Sequence, residues 1–383
     1  MIDGNRVVGV LADLVKIESI NPELVPGGSG ERAIARYVVD FLQAAGLEAR
    51  LDEVSPGRFN AVGTLCGRGG GRSLMFNGHL DTVGVAGMRE PFAARVAGGR
   101  LYGRGAQDMK GGLAAALVAV ETLARSDRLA GDVIVAAVAD EEYQSVGTRT
   151  LLKHGVRADS AIVMEPTAME VVVAHKGFAW ADIETEGRAA HGSRPEEGRD
   201  AIAFMGRVLV EIERLQARLV QSPAHPRLGH GSVHASLISG GQELSSYPAR
   251  CKLSLERRLV PGEDSETLAS EVREILNKLT AADSNFHATS KLGYSALALE
   301  TATNTPIARA LVAAAREVSG QEPKLSGQSF WTDAALLSEA GIPSVLFGPT
   351  GAGLHSSVEY VELEDVARAA DIFGLCAKKF CGP

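Results

Sequence analysis

Apolar residues recur at three- and four-residue spacing in several stretches of the chain, and each such stretch predicts an amphipathic helix. In residues 7–17 the apolar positions are Val8, Leu11, Leu14 and Val15, and residues 31–45 repeat the pattern. Short apolar runs predict strands at residues 60–65, 73–77, 132–139 and 160–164, with an Ala-rich helix over residues 110–124. Strands that alternate with helices indicate an α/β sheet with parallel pairs, whose functional residues collect at the carboxyl ends of the strands.

The order of predicted elements changes near residue 177. From there the pattern predicts strand, helix, two strands, helix and strand, at residues 178–185, 201–216, 232–238, 249–260, 265–279 and 286–292. This βαββαβ order is typical of a ferredoxin-like domain. Later elements at residues 305–318, 333–339, 344–347 and 363–379 continue the first pattern. We therefore predict a discontinuous domain of residues 1–176 and 293–383, interrupted by an inserted domain of residues 177–292.

Length and composition are consistent with two domains and exclude some function classes. A chain of 383 residues is too long for one simple core. Its net charge of −8 argues against nucleic-acid and anionic-membrane surfaces, which favour basic patches. We expect no membrane span and no signal peptide, because the chain has no long apolar run and no basic segment followed by an apolar block at its beginning. The four cysteines form no Cys-x-x-Cys pair, so we expect free thiols and a cytoplasmic protein.

Five segments place a histidine or a carboxylate at the end of an apolar run or in a Gly-rich turn. They are Asn-Gly-His-Leu-Asp-Thr at 77–82, Gly-Arg-Gly-Ala-Gln-Asp-Met-Lys at 103–110, Asp-Glu-Glu at 140–142, Met-Glu-Pro-Thr at 164–167 and Leu-His-Ser-Ser at 354–357. Imidazoles and carboxylates are ligands that zinc prefers. The segments therefore predict a metal centre.

The number of candidate ligands indicates two metal ions. A single catalytic zinc needs about three protein ligands and an open position. Five candidates are present, which suits two ions that share one bridging carboxylate: His79, Asp108, Glu142, Glu165 and His355.

Two further carboxylates are then available for other roles. Adjacent residues point to opposite faces, so one of Glu141 and Glu142 should be free of metal and able to take a proton from an activated water. Asp81 lies two residues after His79, where it can hydrogen-bond the far ring nitrogen and fix the tautomer.

In this order, the five segments resemble the di-zinc amidohydrolase family of acetylornithine deacetylase, succinyl-diaminopimelate desuccinylase, aminoacylase and glutamate carboxypeptidase. The resemblance extends over nearly the whole chain. It implies an α/β fold: a mixed-sheet, zinc-peptidase-like catalytic domain interrupted by a ferredoxin-like lid domain. It also implies two Zn²⁺ ions, with Co²⁺ as a substitute, and a homodimer formed through the lid.

The same resemblance implies individual roles at the metal centre. His79 and Glu165 match the ligands of one zinc, and Glu142 and His355 match those of the other. Asp108 matches the bridge, and in the family the peptide bond that follows it is cis. Glu141 matches the general base, and Asp81 matches the carboxylate that orients the histidine.

Residues of the insert match lid residues of the family, and each has a simpler alternative. His191 matches the lid histidine that stabilises an oxyanion, and the alternative is a loop histidine without a role. Arg258 matches the arginine that binds a substrate carboxylate. Because Glu256 lies on the same side of the predicted strand, a surface ion pair is the alternative.

Other matches concern loops. Gly351 and Gly353 could offer backbone N–H groups to a substrate, or could be ordinary loop glycines. Asp333 also fits a family motif, although it could equally cap the following helix. The chain departs from the family at Ser245, where many members have asparagine, and at Gly84, where they often have proline.

The function that these matches imply is hydrolysis of the amide bond of an N-acyl-L-amino acid, as in acetylornithine deacetylase. A carboxypeptidase or dipeptidase, or a succinyl-diaminopimelate desuccinylase, would use the same centre on a short peptide or a succinylated substrate. A two-metal phosphoesterase should show basic groups for phosphate. A non-catalytic metal-binding protein has no use for a free carboxylate beside Glu142.

Overall fold

The computed structural model describes residues 2–85, 87–126 and 128–382. The chain forms two compact units. The first unit contains the stretch up to Val173, Thr301–Ser326 and the stretch from Thr332 onwards, and the second contains Ala174–Glu300 and Gly327–Trp331.

The described residues form nine helices, and a distorted helical turn over Ala106–Lys110 directly precedes the third. The helices are α1 (Gly4–Lys16), α2 (Arg32–Ala44), α3 (Gly111–Ala124), α4 (Val146–Lys153), α5 (Ala201–Gln221), α6 (Ser265–Ala282), α7 (Pro306–Ser319), α8 (Ala334–Glu339) and α9 (Leu363–Cys381).

The same residues form seventeen strands in three sheets. The strands are β1 (Glu48–Ser55), β2 (Arg58–Leu65), β3 (Leu74–His79), β4 (Arg95–Ala97), β5 (Arg100–Tyr102), β6 (Val133–Val138), β7 (Ser160–Val163), β8 (Val171–His175), β9 (Gly177–Glu186), β10 (Ser232–Gly240), β11 (Arg250–Leu259), β12 (His287–Ala296), β13 (Leu299–Glu300), β14 (Leu325–Gln328), β15 (Ser344–Leu346), β16 (Gly351–Ala352) and β17 (Tyr360–Glu362).

The largest sheet is mixed, with strand order β1-β2-β6-β3-β7-β15-β8-β13 and β14 also paired with β8. Its centre, β6-β3-β7-β15, is parallel, whereas β1, β2 and β8 join it antiparallel. Strands β3, β6 and β7 are buried along their whole length, as parallel strands covered on both faces should be. Their carboxyl ends lie at one edge of the sheet.

Helix packing closes the core of the first unit. Helix α3 has all but two of its residues buried, and its Ala-rich sequence lets α1 and α9 pack closely against it. Gly112 is required in its first turn, because a Cβ there would lie 2.0 Å from the carbonyl oxygen of Met164. The close approach brings the amino end of α3 against the carboxyl end of β7.

The second unit has the element order β9-α5-β10-β11-α6-β12 and one antiparallel sheet with strand order β10-β11-β9-β12. Alternate residues of β9, Ala179, Ala181 and Ile183, lie in a core with α5 and α6. The residues that alternate with them, such as Phe178 and Trp180, are partly or fully exposed on the opposite face. Among the described residues, no helix combines the length and the apolar character needed to cross a membrane.

The hydrophobic pattern located most long elements correctly, but it missed short ones. Helix α5 extends five residues beyond the prediction, to Gln221, and β12 continues to Ala296. Strands β1, β4, β5, β8, β13, β14, β16 and β17 and helix α4 were not predicted. Most of these are too short or too polar to give a periodic signal, and some pair with strands far away in sequence, as β5 does with β17.

Candidate metal centre

Three neighbouring parallel strands bring four of the candidate residues to one edge of the large sheet. His79 is the last residue of β3, Glu141 and Glu142 follow β6, and Glu165 follows β7. The order β6-β3-β7 places His79 between the two glutamate segments. Gly348 permits close packing here, because a Cβ at that position would lie 2.2 Å from the carbonyl oxygen of Glu165.

A small antiparallel sheet supplies the other two candidates. Its strand order is β16-β17-β5-β4. Strand β5 leads into the loop that carries Asp108, and β16 and β17 flank the loop that carries His355. Pairing of Tyr102 with Tyr360 joins the two loops, although 247 residues separate Asp108 from His355 in the sequence. The peptide bond between Asp108 and Met109 is cis, as the resemblance implied.

Asp108 lies between the two histidines. Its Oδ1 is 3.0 Å from Nε2 of His79, and its Oδ2 is 3.3 Å from Nε2 of His355. Nε2 of His355 is also 3.2 Å from Oε2 of Glu142. Potential ligand atoms of His79, Asp108 and Glu142 lie within 4.8 Å of one another, and so do those of His79, Glu141 and Glu165. His79 belongs to both groups, and the Asp108 carboxylate lies close to both histidines.

The electrostatics of the centre show a shortage of positive charge. Restricted solvent access, followed by the charge of Glu165, raises the pKa of Glu141 well above its usual value. Burial, followed by the charge of Asp108, does the same to the pKa of Glu165. Burial lowers the pKa of His79, but its contact with Asp108 and the nearby glutamates raise it well above 6.5 overall. Two divalent cations would relieve this repulsion among four carboxylates, so the donor set fits a pair of metal ions.

Asp81 does not contact His79 in the predicted way. Nδ1 of His79 lies 2.8 Å from the backbone oxygen of Asp81, whereas the Asp81 carboxylate is 3.8 Å from that nitrogen. The backbone carbonyl therefore fixes the tautomer. The carboxylate instead accepts hydrogen bonds from the backbone N–H groups of Glu141 at 3.1 Å and Glu142 at 3.3 Å. It thereby holds the segment that carries both glutamates.

Asp81 belongs to a buried network of polar side chains. Nδ2 of Asn21 donates to Asp81 at 2.8 Å and to Asp140 at 3.0 Å. Arg58 donates to Asp140 at 3.1 Å and also forms a buried ion pair with Glu31. Hydrogen bonds of this kind orient ligating residues and are part of a metal site's stability.

Two of the predicted site residues, His191 and Arg258, belong to the second unit and differ in their surroundings. His191 is exposed, and its Nδ1 accepts a hydrogen bond from the backbone N–H of Ser193 at 3.2 Å. Nε of Arg258 donates to Glu256 at 2.6 Å, so the ion pair considered as an alternative is present. The Arg258 guanidinium also lies 5.5 Å from the ring centre of Phe178.

Steric requirements explain both loop glycines near His355. A Cβ at Gly351 would lie 2.4 Å from the carbonyl oxygen of Tyr360, and one at Gly353 would lie 1.8 Å from that of Val358. Gly353 also has a φ of 91°. Asp333 begins α8 without a side-chain capping bond; its Oδ2 instead accepts a hydrogen bond from Thr148 at 2.6 Å.

The sequence patterns did not indicate the supporting residues of the centre: Asn21, Glu31, Arg58, Arg104 and Glu359. All five are buried polar or charged side chains. Arg104 and Glu359 do lie within or just after predicted motifs, which is the only sequence signal for them. The other three belong to segments without a motif, and only their burial identifies them.

Comparison with known proteins agrees with this geometry. The model of peptidase family M20/M25/M40 matches residues 75–379. An acetylornithine deacetylase of Myxococcus xanthus is 31% identical over 360 residues, which cover 90% of this chain and 91% of that protein. An N-formyl-4-amino-5-aminomethyl-2-methylpyrimidine deformylase of Bacillus subtilis is 28% identical over 379 residues, covering 91% and 89%.

The fold has a close structural relative as well. The YXEP protein of Bacillus subtilis, described as a dinuclear metal binding peptidase from the M20 family, superposes with a TM-score of 0.76. Its sequence identity is 16%, and the match covers 98% of this chain and 97% of that one. On the family match and the 31% identical relative, this chain belongs to peptidase family M20/M25/M40 and is a metal-dependent hydrolase of amide bonds.

Proposed function

We propose that the protein is a two-metal deacylase that hydrolyses the amide bond of an N-acyl-L-amino acid, in the manner of acetylornithine deacetylase. The observation that carries this proposal is the position of Asp108, whose two carboxylate oxygens lie 3.0 Å and 3.3 Å from two different histidines. A carboxylate shared in this way suits a bridge between two ions. The acetylornithine deacetylase relative supports the substrate class.

The proposed ligands form two sets around the bridge. His79 and Glu165 would hold one ion, Glu142 and His355 would hold the other, and Asp108 would contact both. Imidazole and carboxylate donors suit Zn²⁺, with Co²⁺ as a working substitute. When bound, such ions supply Lewis acidity toward the acyl oxygen and make a water molecule nucleophilic near neutral pH.

Glu141 is the proposed general base. Its carboxylate lies within the group that contains His79 and Glu165, and Asp81 holds its backbone N–H. In this role one Glu141 oxygen accepts the proton of the attacking water and then delivers it to the leaving nitrogen. Glu142 differs, because its Oε2 is already 3.2 Å from His355.

Two residues of the second unit complete the proposal. Nδ1 of His191 accepts a hydrogen bond from the Ser193 N–H, so in the neutral ring Nε2 carries the proton. This Nε2–H group can donate a hydrogen bond to an oxyanion. The ion pair of Arg258 uses Nε, which is compatible with binding of a substrate carboxylate by its two Nη atoms. Backbone N–H groups at Gly351 and Gly353 are the remaining proposed substrate contacts.

We further propose that the insert, residues 177–292, is a ferredoxin-like lid that forms a homodimer, while residues 1–176 and 293–383 form the catalytic domain. The strand order β10-β11-β9-β12 supports the fold. Strand β10 is an edge strand, and its Leu237 and Ile238 are 72% and 56% exposed, which supports a partner at that edge. Sedimentation of the parent and of L237K measures the assembly; a parent that stays monomeric at micromolar concentration rejects the dimer.

Cytoplasmic location is also a proposal. All four cysteines are free thiols in the structure, as a reducing compartment would keep them. Fractionation of the source cells tests it, and recovery of the protein outside the cytoplasm would contradict it.

The main alternative within the family is a carboxypeptidase, dipeptidase or desuccinylase activity at the same centre. The deformylase among the relatives adds a formyl group to the acyl groups worth testing. A purified protein loaded with Zn²⁺ or Co²⁺ should be screened against acetyl, formyl and succinyl amino acids and against dipeptides, with release of free amine as the readout.

The proposal predicts the fastest turnover on an N-acyl amino acid. Glu141→Gln serves as the control for contaminating hydrolases, because it should remove the activity. Faster turnover of dipeptides than of every acylated amino acid would support the peptidase alternative. Metal-loaded protein that hydrolyses none of these substrates would refute the proposed substrate class.

A further inference from the structure

Glu359 forms several hydrogen bonds with the loop that carries Asp108. Its Oε1 accepts hydrogen bonds from the backbone N–H groups of Gln107 at 2.9 Å and Asp108 at 3.1 Å. Its Oε2 accepts one from the backbone N–H of Gly105 at 3.0 Å. The backbone oxygen of Glu359 also receives the N–H of Gly103 at 3.2 Å. One residue thus satisfies four backbone donors of residues 103–108.

Arg104 completes the arrangement and extends it to the loop of His355. Its Nη1 lies 2.6 Å from Oε2 of Glu359, and the side chains are 1% and 0% exposed. Its Nη2 donates to the backbone oxygen of Ser356, the residue after His355, at 2.9 Å. Its Nε donates to the backbone oxygen of Gly84 at 3.0 Å. Both loops are therefore held by one buried ion pair.

Such a pair is costly to bury unless its hydrogen bonds are satisfied, and here both Glu359 oxygens are. A side chain that only caps the end of a helix accepts one or two backbone hydrogen bonds, whereas the Glu359 side chain accepts three. The backbone N–H of Asp108 itself is among the donors, so a shift of Glu359 moves the residue whose carboxylate lies between His79 and His355. The contacts act on the position of that carboxylate as well as on the loop.

We infer that Glu359 is a positioning residue for the metal centre: with Arg104 it sets the distance between the Asp108 carboxylate and His355. This inference rests on the proposed role of those two residues as metal ligands. Glu359 is not among the proposed metal ligands and acts through the backbone of Asp108. Its loss should therefore weaken metal binding at the shared carboxylate in addition to lowering the stability of the fold.

The test compares Glu359→Gln with Glu362→Gln in the full-length protein. Glutamine keeps the size of Glu359 but offers one acceptor oxygen, and its NH₂ group would face backbone N–H donors. Glu362 lies three residues later and forms a partly exposed ion pair with Arg100, at 2.8 Å, so it is the matched control. Zn²⁺ and Co²⁺ affinities are measured by competition with a chelator, and melting temperatures are measured with and without metal.

We expect Glu359→Gln to bind one of its two metal ions about 10–100-fold more weakly than the parent, with a smaller rise in melting temperature on metal addition. The visible spectrum of the Co²⁺-loaded variant should also change, whereas Glu362→Gln should match the parent in all three measurements. A lower melting temperature with unchanged metal affinity and an unchanged metal-induced rise would show a structural role only and would overturn the inference.

A second variant keeps the test decisive if Glu359→Gln does not fold. Glu359→Asp retains the charge opposite Arg104 but is one methylene shorter, so an intermediate metal affinity supports the inference and parental affinity overturns it. Failure of both variants to fold, with or without metal, makes the role structural and also overturns it. A parent protein that binds no metal refutes the proposed function instead, so the two failures are distinguishable.

Discussion

Arg58 offers the strongest test of the buried network behind the metal centre. Its side chain is 7% exposed and pairs with Glu31, which is 0% exposed, and with Asp140, which is 2% exposed. Arg58→Met keeps much of the apolar stem but removes the charge that both carboxylates face. Breaking a buried ion pair by removing one partner typically costs about 3–5 kcal/mol.

That cost gives a measurable shift. At about 2–4 °C per kcal/mol for a domain of this size, the melting temperature should fall by roughly 6–20 °C. Arg100→Met is the matched control, because Arg100 and Glu362 are 40% and 31% exposed, and such surface pairs contribute little to stability. Scanning calorimetry in the presence of a metal chelator measures the melting temperatures of both variants without a contribution from bound metal. Arg58→Met should also lower activity, since Asn21 links Asp140 to Asp81.

The double variant Glu31→Gln/Arg58→Met separates charge from packing. It removes one of the two unpaired carboxylates, so part of the lost stability should return. If Arg58→Met melts within the range of Arg100→Met, the carboxylates of Glu31 and Asp140 tolerate the loss of their partner. The buried network would then contribute no more to the stability of the protein than a surface ion pair does.

Other substitutions test the remaining assignments. Glu141→Gln should keep both metal ions by elemental analysis and lose at least about 10²-fold in kcat; metal loss in step with activity would make Glu141 a ligand. His355→Ala should lower metal content after dialysis, and unchanged stoichiometry would exclude it as a ligand. His191→Ala should mainly lower kcat and Arg258→Ala mainly raise KM, whereas parental kinetics on every N-acyl amino acid would reject both roles. Cys66, the exposed thiol, should react first with a thiol reagent in the native protein, and Cys66→Ser should lose that fast phase.

The sequence by itself indicated the order of the long elements and the chemistry of the centre. Continuous apolar runs predict buried strands because only such runs tolerate burial on both faces, and β3, β6 and β7 follow them closely. A candidate site residue at the end of such a strand is local information, so His79, Glu141 and Glu165 could be placed at one sheet edge. The resemblance supplied the family and the cis bond after Asp108.

Tertiary structure decided how the centre is held together. Asp81 shows the difference: its sequence position near His79 suggested a side-chain contact, but the fold places its carboxylate against the N–H groups of Glu141 and Glu142. Glu359 and Arg104 show it again, since pairing of β17 with β5 joins segments about 250 residues apart. Spacing along a chain reports local geometry only. Long-range strand pairing and desolvation decide which buried charge contacts which backbone donor. Neither can be predicted from a local sequence pattern.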